Sequence, residues 1–149
     1  MRIVIQRVSS AKSVVDGKIT GEIGKGYLLL IGFTNSDTEE DLEKAVYKVS
    51  VLRVFEDEAG KMNKSLVDVN GSILAISQFT LYADLKHGHR PSFTEAMKFD
   101  LANEYYKKFC NMLRDKGFIL EVGIFGSDMK ISLTNDGPVT IIFDSKELK

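Results

Sequence analysis

A group of polar residues follows an apolar segment in the middle of the chain and brings hydroxyl and amide groups together. Ser77, Gln78 and Thr80 come directly after the apolar segment 73–76, in the stretch 77–84. Polar groups at the end of a core strand need hydrogen-bond partners, and a bound ligand can be such a partner. Bonds from Ser77 and Thr80 to neighbouring backbone would satisfy them equally well. The spacing leaves both interpretations open and marks this stretch as a candidate site.

The segment 135–138, Asn-Asp-Gly-Pro, is a second candidate. It lies between two predicted strands, and all four residue types are common in turns, so an ordinary turn is the simpler interpretation. The sequence does not determine whether the bond between Gly137 and Pro138 is cis or trans.

The conventional catalytic groups are scarce. The two histidines, His87 and His89, fall in one polar loop, and the one cysteine, Cys110, falls inside a predicted helix. This is a weak pattern for a metal site, and a Ser-His-Asp triad would require the loop to fold over a serine or threonine. Cys110 fits a buried structural thiol better than a nucleophile. We expect no metal and no cofactor, and an enzyme of this sequence would depend on backbone groups and on its substrate.

Composition limits the class of protein. The 149 residues are the size of one domain, 1–149, and 20 basic against 21 acidic residues give a net charge of −1. A polybasic nucleic-acid binder is therefore disfavoured, although a local basic surface is possible, with Lys61, Lys64, Lys86 and Arg90 as candidates in two polar loops.

A single cysteine excludes an intramolecular disulfide. The opening residues do not resemble a signal peptide, and the longest apolar run, 27–31, is far too short to span a membrane. We therefore expect a cytoplasmic protein without a membrane partner.

Alternation and apolar runs predict the strands that must position the two candidates. An Asp-Gly pair at 16–17 and an Asn-Gly pair at 70–71 indicate hairpins, and two polar loops are predicted over 56–64 and 84–91. The predicted strands cover 3–8, 14–19, 26–33, 72–79, 119–125, 129–134 and 139–143.

Two helices are predicted, each from a capping box. Ser36 and Glu39 begin the first, which buries the stripe Leu42, Ala45, Val46, Val49 and Leu52. Its acidic start, which includes Asp37 and Asp41, is interpreted as a solvated, dipole-matched helix end rather than as a metal or partner site. Ser92 and Glu95 begin the second, which ends at Gly117 and has the apolar face Met97, Leu101, Tyr105, Phe109 and Met112. Together the elements predict an α/β fold, a layered α/β/β single domain with mixed, barrel-like β-sheets covered by two main helices.

Four segments resemble one enzyme family. They are the opening MRIVIQRV (1–8), SQFTLY (77–82), RPSF (90–93) and NDGPVT (135–140). In order and spacing they are similar to D-aminoacyl-tRNA deacylases over nearly the whole chain, and SQFTLY together with GPVT is highly specific.

The resemblance implies a homodimeric enzyme that hydrolyses the ester between a D-amino acid, or mischarged glycine, and the 3′ terminal adenosine of tRNA. It assigns Ser77, Gln78, Phe79 and Thr80 to the pocket and to catalysis. It assigns Gly137 and Pro138 to a Gly-cisPro pair that enters the partner subunit's pocket. Substrate contacts are also implied for Met129 and Arg7. In the family, catalysis is thought to depend on main-chain groups and the tRNA 2′-hydroxyl rather than on the hydroxyl of Thr80.

Two other functions are compatible with the residues alone. One is a non-catalytic nucleic-acid-binding module, with DNA as one target that it could bind. The other is a conventional Ser/Thr-His hydrolase that uses His87 and His89.

Overall fold

One long strand, Arg2–Val15 (β1), pairs along both of its edges. The computed structural model describes residues 1–147. On one edge β1 is antiparallel first to Gly26–Gly32 (β3) and then to Lys18–Ile23 (β2). On the other edge it is antiparallel to Lys130–Asp144 (β8). Register shifts between Gln6 and Ser10 interrupt the pairing with β8, and such irregularities bend a strand.

Two parallel strands extend the sheet beyond β3. Ser72–Ser77 (β6) is parallel to β3, and Leu120–Val122 (β7) is parallel to β6, which gives the order β2-β1-β3-β6-β7. The sheet curls until β2 meets β7, since a Cβ on Gly21 would lie only 2.5 Å from the carbonyl oxygen of Val122. Arg53–Glu56 (β4) and Met62–Ser65 (β5) form a separate two-stranded sheet.

Two helices, Glu39–Val51 (α1) and Phe99–Asp115 (α2), cover the sheet. The larger core cluster joins strand residues such as Ile5 and Leu29 to helix residues such as Val46 and Phe109. A second cluster fills the curled part of the sheet and contains Val8, Ala11, Ile23, Leu28, Leu74 and Ile76. Leu28 and Leu29 thus point into different clusters, as expected of a strand buried on both faces. The predicted α/β class, with a mixed barrel-like sheet and two covering helices in one domain, is confirmed.

The first helix begins two residues later than its predicted capping box. Thr38 is the N-cap, and its backbone N–H donates to the carboxylate of Asp41 at 2.8 Å, so the box is Thr38/Asp41 rather than Ser36/Glu39. Four of the five predicted stripe residues, Leu42, Ala45, Val46 and Val49, are buried, whereas Leu52 is the C-cap residue and is only partly buried.

The acidic start of α1 is only partly solvated. Asp37 is buried and accepts from the amine of Met1 at 2.5 Å, and Asp41 is buried and accepts from Lys146 at 2.9 Å. These carboxylates are therefore structural partners of cations, while Glu39 and Glu40 lie exposed in the first turn.

The second helix begins at Phe99, so the predicted start at Ser92 is wrong. The preceding segment bonds to the end of β3 instead: Met97 N–H donates to Phe33 O at 3.0 Å. The buried face also differs, since Leu101 is 44% exposed. The buried residues are Ala102, Tyr106, Phe109, Cys110 and Leu113. Gly117, at φ +94°, follows the last turn as predicted.

Five smaller predictions need correction. The polar stretch 56–64, predicted as an exposed loop, is mostly a hairpin: Glu56 ends β4, Met62 begins β5, and only 57–61 form the turn. The Asn70–Gly71 turn leads into a parallel strand rather than a hairpin. Beyond Ser77 the strand gives way to a 3-10 helix, Phe79–Tyr82. The strand predicted over 119–125 is confined to β7, and the two predicted C-terminal strands are one continuous strand, β8, which includes 135–138. The Asp16–Gly17 hairpin turn is confirmed by positive φ angles at both residues.

No helix within residues 1–147 is long and apolar enough to cross a membrane. The same part of the chain contains no group of three or more His, Cys, Asp and Glu side chains arranged to hold a metal ion.

Candidate active site

A cavity of about 600 Å³ opens beside the carboxyl ends of the parallel strands β3 and β6. Ligands commonly bind at this end of parallel strands. Hydrophobic side chains form most of the lining, and polar groups are few. The lining includes Ser77, Gln78, Phe79, Phe93, Phe125 and Met129.

The polar edge of the cavity is the point where β6 ends. Gln78 N–H donates to Ile31 O at 2.7 Å, which holds this point against β3. The 3-10 helix begins at Phe79, and its first closing bond runs from Leu81 N–H to Gln78 O at 3.2 Å. The amides of Phe79 and Thr80 precede that bond, so they have no partner within the helix. They are two adjacent donors beside the cavity.

Side-chain bonding in this stretch is local. The Gln78 amide Nε2 donates to the Thr80 hydroxyl at 2.5 Å. Thr80 itself is exposed and is not part of the cavity lining. No described histidine or carboxylate bonds to the Thr80 hydroxyl, so this structure gives it no general base.

A glycine allows the 3-10 helix to approach β3. A Cβ on Gly32 would lie 3.0 Å from Gln78 O and 3.1 Å from Leu81 Cβ. Since such distances are tighter than ordinary van der Waals contact, a larger residue would push the helix and its free amides away from the cavity.

Two aromatic pairs form part of the cavity wall. Phe79 and Phe93 meet edge to face with ring centroids 5.0 Å apart, and Phe99 and Phe125 do the same at 5.0 Å. Gly126, at φ +80°, makes room for the second pair, because a Cβ there would lie 2.5 Å from the ring of Phe99. Phe79 and Phe99 are each more than half exposed, which is consistent with a wall that a flat ligand can contact.

A second cluster lies outside this cavity. Arg7 is only 6% exposed; its Nε donates to Asp136 O at 2.8 Å and its Nη1 to Val54 O at 2.7 Å. The bond between Gly137 and Pro138 is cis, and both residues are exposed. None of Arg7, Gly137 and Pro138 lines the cavity of the same chain.

A family model described as D-Tyr-tRNA(Tyr) deacylase matches residues 4–144. The chain belongs to this family. A D-aminoacyl-tRNA deacylase of Bacillus pumilus is 55% identical over 147 residues, which are 99% of this chain and 100% of that protein. One of Lactobacillus acidophilus is 54% identical over 144 residues, 97% of this chain and 99% of that protein.

Two solved structures share the fold of this deacylase family member. One, named c-Myc DNA Unwinding Element Binding Protein, has a TM-score of 0.90 and 40% identity, over 97% of this chain and 98% of that one. The other, a probable eukaryotic D-amino acid tRNA deacylase, has a TM-score of 0.81 over 95% and 97% of the two chains. At 20% identity the second likeness concerns the fold alone.

The site residues expected of this deacylase family fall into two places. Ser77, Gln78, Phe79 and Met129 line the cavity, with Thr80 next to them. Arg7, Gly137 and Pro138 form the separate cluster. Sequence reasoning missed Phe99, Phe125 and Gly126. Phe99 fell within the predicted second helix but outside its apolar face, Phe125 ended a predicted strand, and Gly126 fell between two predicted strands. The only signal for them was a glycine directly after Phe125, followed by the polar pair 127–128.

The residues of a conventional hydrolase are not brought together. His87 and His89 lie exposed in the loop 84–91, and within residues 1–147 neither imidazole hydrogen-bonds to a serine or threonine hydroxyl. Cys110 is buried, and burial raises the pKa of its thiol to about 12, so it stays protonated and is structural.

Replacing Arg7 by methionine tests its role in holding the segment 136–138. Arg7→Met leaves two carbonyl oxygens without their donors, so we expect the free energy of unfolding to fall by about 2–4 kcal/mol. Urea unfolding measures this. Amide exchange should also accelerate at Val139, whose N–H donates to the side chain of Asn135 at 2.7 Å.

Arg53→Met is the matched control. Arg53 also makes two hydrogen bonds, both to Asn63 at 2.9 Å, but it is exposed. We expect a loss below about 1 kcal/mol, because water replaces the lost partners. Equal losses for the two variants would contradict the role assigned to Arg7.

Proposed function

We propose that this chain hydrolyses the ester bond of D-aminoacyl-tRNA in the cytoplasm and releases the free D-amino acid and tRNA. The cavity beside the free amides of Phe79 and Thr80 is the observation that carries the proposal, in a chain of the deacylase family. The aromatic wall suits the terminal adenosine, and the polar edge formed by Ser77 and Gln78 suits the ester.

The proposed chemistry needs little from side chains. An aminoacyl ester is already activated, so a positioned water and a stabilised oxyanion are sufficient. The amides of Phe79 and Thr80 are the proposed oxyanion donors, because they are adjacent and have no partner within their helix. The tRNA 2′-hydroxyl, next to the ester, then assists attack in place of a protein base.

Selectivity for the D-amino acid is proposed to come from backbone carbonyls. The carbonyls of Gly137 and Pro138 would accept from the α-amine of a D-residue, whereas the side chain of an L-residue would clash with them. The site then does not distinguish one D-amino acid side chain from another. Glycine has no Cβ to clash, so glycine mischarged on tRNA should be cleaved as well.

This mechanism requires a homodimer, because Gly137 and Pro138 are exposed and do not line their own cavity. An apolar row across three strands offers a surface for the second copy. Val4 is paired with Leu30 on one side and with Ile142 on the other, and Ile142 is 71% exposed. Arg7 and Met129 are proposed to support the substrate contacts, Arg7 by holding Asp136 and Met129 as part of the cavity wall.

A paired assay with D-Tyr-tRNA and L-Tyr-tRNA tests the function. We expect kcat/KM for the D-ester to exceed that for the L-ester by about a thousandfold, which corresponds to about 4 kcal/mol. Release of labelled tyrosine from each substrate measures it. Equal rates on the two esters would refute the chiral mechanism.

The same assay distinguishes a second candidate, a nucleic-acid-binding module without catalysis. One observation favours it, since the 40% identical structure is named as a DNA unwinding element binding protein. This candidate requires salt-sensitive nucleic-acid binding with no turnover of either ester.

Replacing Thr80 tests whether catalysis depends on main-chain groups. We expect Thr80→Ala and the isosteric Thr80→Val to retain single-turnover rates within about tenfold of the wild type, because both keep the amide donor. A substrate that ends in 2′-deoxyadenosine should react far more slowly with all three proteins. A loss near ten-thousandfold in both variants would instead identify the Thr80 hydroxyl as the nucleophile.

Mixing two variants tests whether the active site is shared between subunits. Ala96→Trp should fill the cavity, and Gly137→Val should disturb the projecting pair, since a Cβ there would lie 2.9 Å from the side chain of Val139. Each homodimer should be nearly inactive. After subunit exchange, the hybrid contains one intact site, so we expect about a quarter of the wild-type activity.

Light scattering supplies the control for this mixing experiment. The wild type and both variants should have twice the 16.7 kDa mass of one chain. Recovery of no activity from confirmed hybrids would contradict a shared site.

A further inference from the structure

The two polar loops differ in how their charges are balanced. In the predicted polar loop 56–64, Lys64 on β5 pairs at 2.9 Å with Glu58 in the turn between β4 and β5. The carboxylate of Asp57 in the same loop accepts from the Asn63 side chain at 2.8 Å and from two backbone amides. Although Lys61 forms no ion pair within residues 1–147, the three carboxylates of Glu56, Asp57 and Glu58 outnumber the two lysines, so the segment 56–64 has a net charge of −1.

In the second polar loop, 84–91 with Ser92 closing its base, the cations have no ion-pair partner in the described part of the chain. The one carboxylate of this loop, on Asp84, accepts from the backbone N–H of Lys86 at 2.9 Å. Within residues 1–147 the side chains of Lys86 and Arg90 form no ion pair within 4.0 Å, and both are exposed. Glu95 lines a shallow groove with Lys86 but lies beyond ion-pair distance of it. Two full positive charges are thus available on a chain whose net charge is −1.

The structure fixes this loop next to the cavity. Its base is closed by two backbone bonds between Asp84 and Ser92, at 2.7 and 2.9 Å. The next residue, Phe93, lines the cavity and packs against Phe79. The loop therefore projects from the part of the cavity wall that carries the proposed oxyanion donors.

We propose that Lys86 and Arg90 bind backbone phosphates of the RNA strand that leads to the terminal adenosine. The proposal rests on the proposed function, which places that adenosine in the adjoining cavity. Phosphate contacts position a nucleic acid without reading its sequence. Two such contacts orient the 3′ end, and their small number allows rapid release of the product tRNA.

A binding experiment with charge-matched variants tests the proposal. The loop variant is Lys86→Ala with Arg90→Ala, and the control is Lys61→Ala with Lys64→Ala, which removes the same charge from the other loop. The probe is a fluorescein-labelled RNA hairpin of acceptor-stem length that ends in single-stranded CCA, followed by anisotropy at low and at physiological NaCl concentration.

We expect the loop variant to bind the hairpin roughly tenfold more weakly at low salt, with a slope of log K against log salt shallower by about 1.4, roughly 0.7 for each phosphate contact on a single strand. The control should match the wild type. Wild-type affinity and slope in the loop variant, or an equal loss in the control, would overturn the proposal.

Kinetics separates this proposal from the proposed function. On D-Tyr-tRNA the loop variant should raise KM by about the same factor as Kd and keep kcat. A fall in kcat with KM unchanged would overturn the phosphate role. If the wild type cleaves no aminoacyl-tRNA but the loop variant still loses hairpin binding, the phosphate contacts stand and the deacylase function fails.

Discussion

The pairing of β1 along both edges is the constraint on which the rest of the structure depends. Because β3 and β8 take opposite edges of β1, the C-terminal strand is paired with the N-terminal strand along nearly its whole length. The first half of β1 buries Ile3 and Ile5 against the helices, and the second half buries Val8 and Ala11 in the curled part of the sheet. The irregular pairing between Gln6 and Ser10 joins these two halves, and it allows one strand to serve both cores.

The candidate site follows from where the parallel strands end. With β3 and β6 side by side, the carboxyl ends of both meet at one place, and the segments after them must pass over the same opening. Gly32 lets the 3-10 helix lie close to β3, and Gly126 leaves room for the ring of Phe99 in the cavity wall. The shape of the cavity thus depends on backbone geometry.

Local patterns in the sequence were sufficient for elements that depend on local physics. The stripe of α1, the Asp16–Gly17 turn and the glycine after α2 follow from periodicity and backbone conformation. The start of α2 was not accessible in this way, because Ser92 and Glu95 have capping-box spacing, but the neighbouring segment bonds to β3 instead. The contact of Arg7 with Asp136 joins residues 129 positions apart, so no local pattern reveals it. Motif resemblance predicted the site residues, and the fold places some of them at a cavity and the others in a separate cluster of the buried Arg7 with the exposed Gly137 and Pro138.

The free amides of Phe79 and Thr80 have a consequence for how such a site can vary. A backbone N–H is present whichever side chain the position carries, so substitution at these positions changes the walls of the pocket and leaves its proposed oxyanion donors in place. Proline alone removes the donor. Chemistry held in the main chain is therefore insensitive to most changes of residue, and it depends instead on the position of the turn that presents it. The packing of that turn against Gly32 is then under closer constraint than the polar side chains that first marked the site.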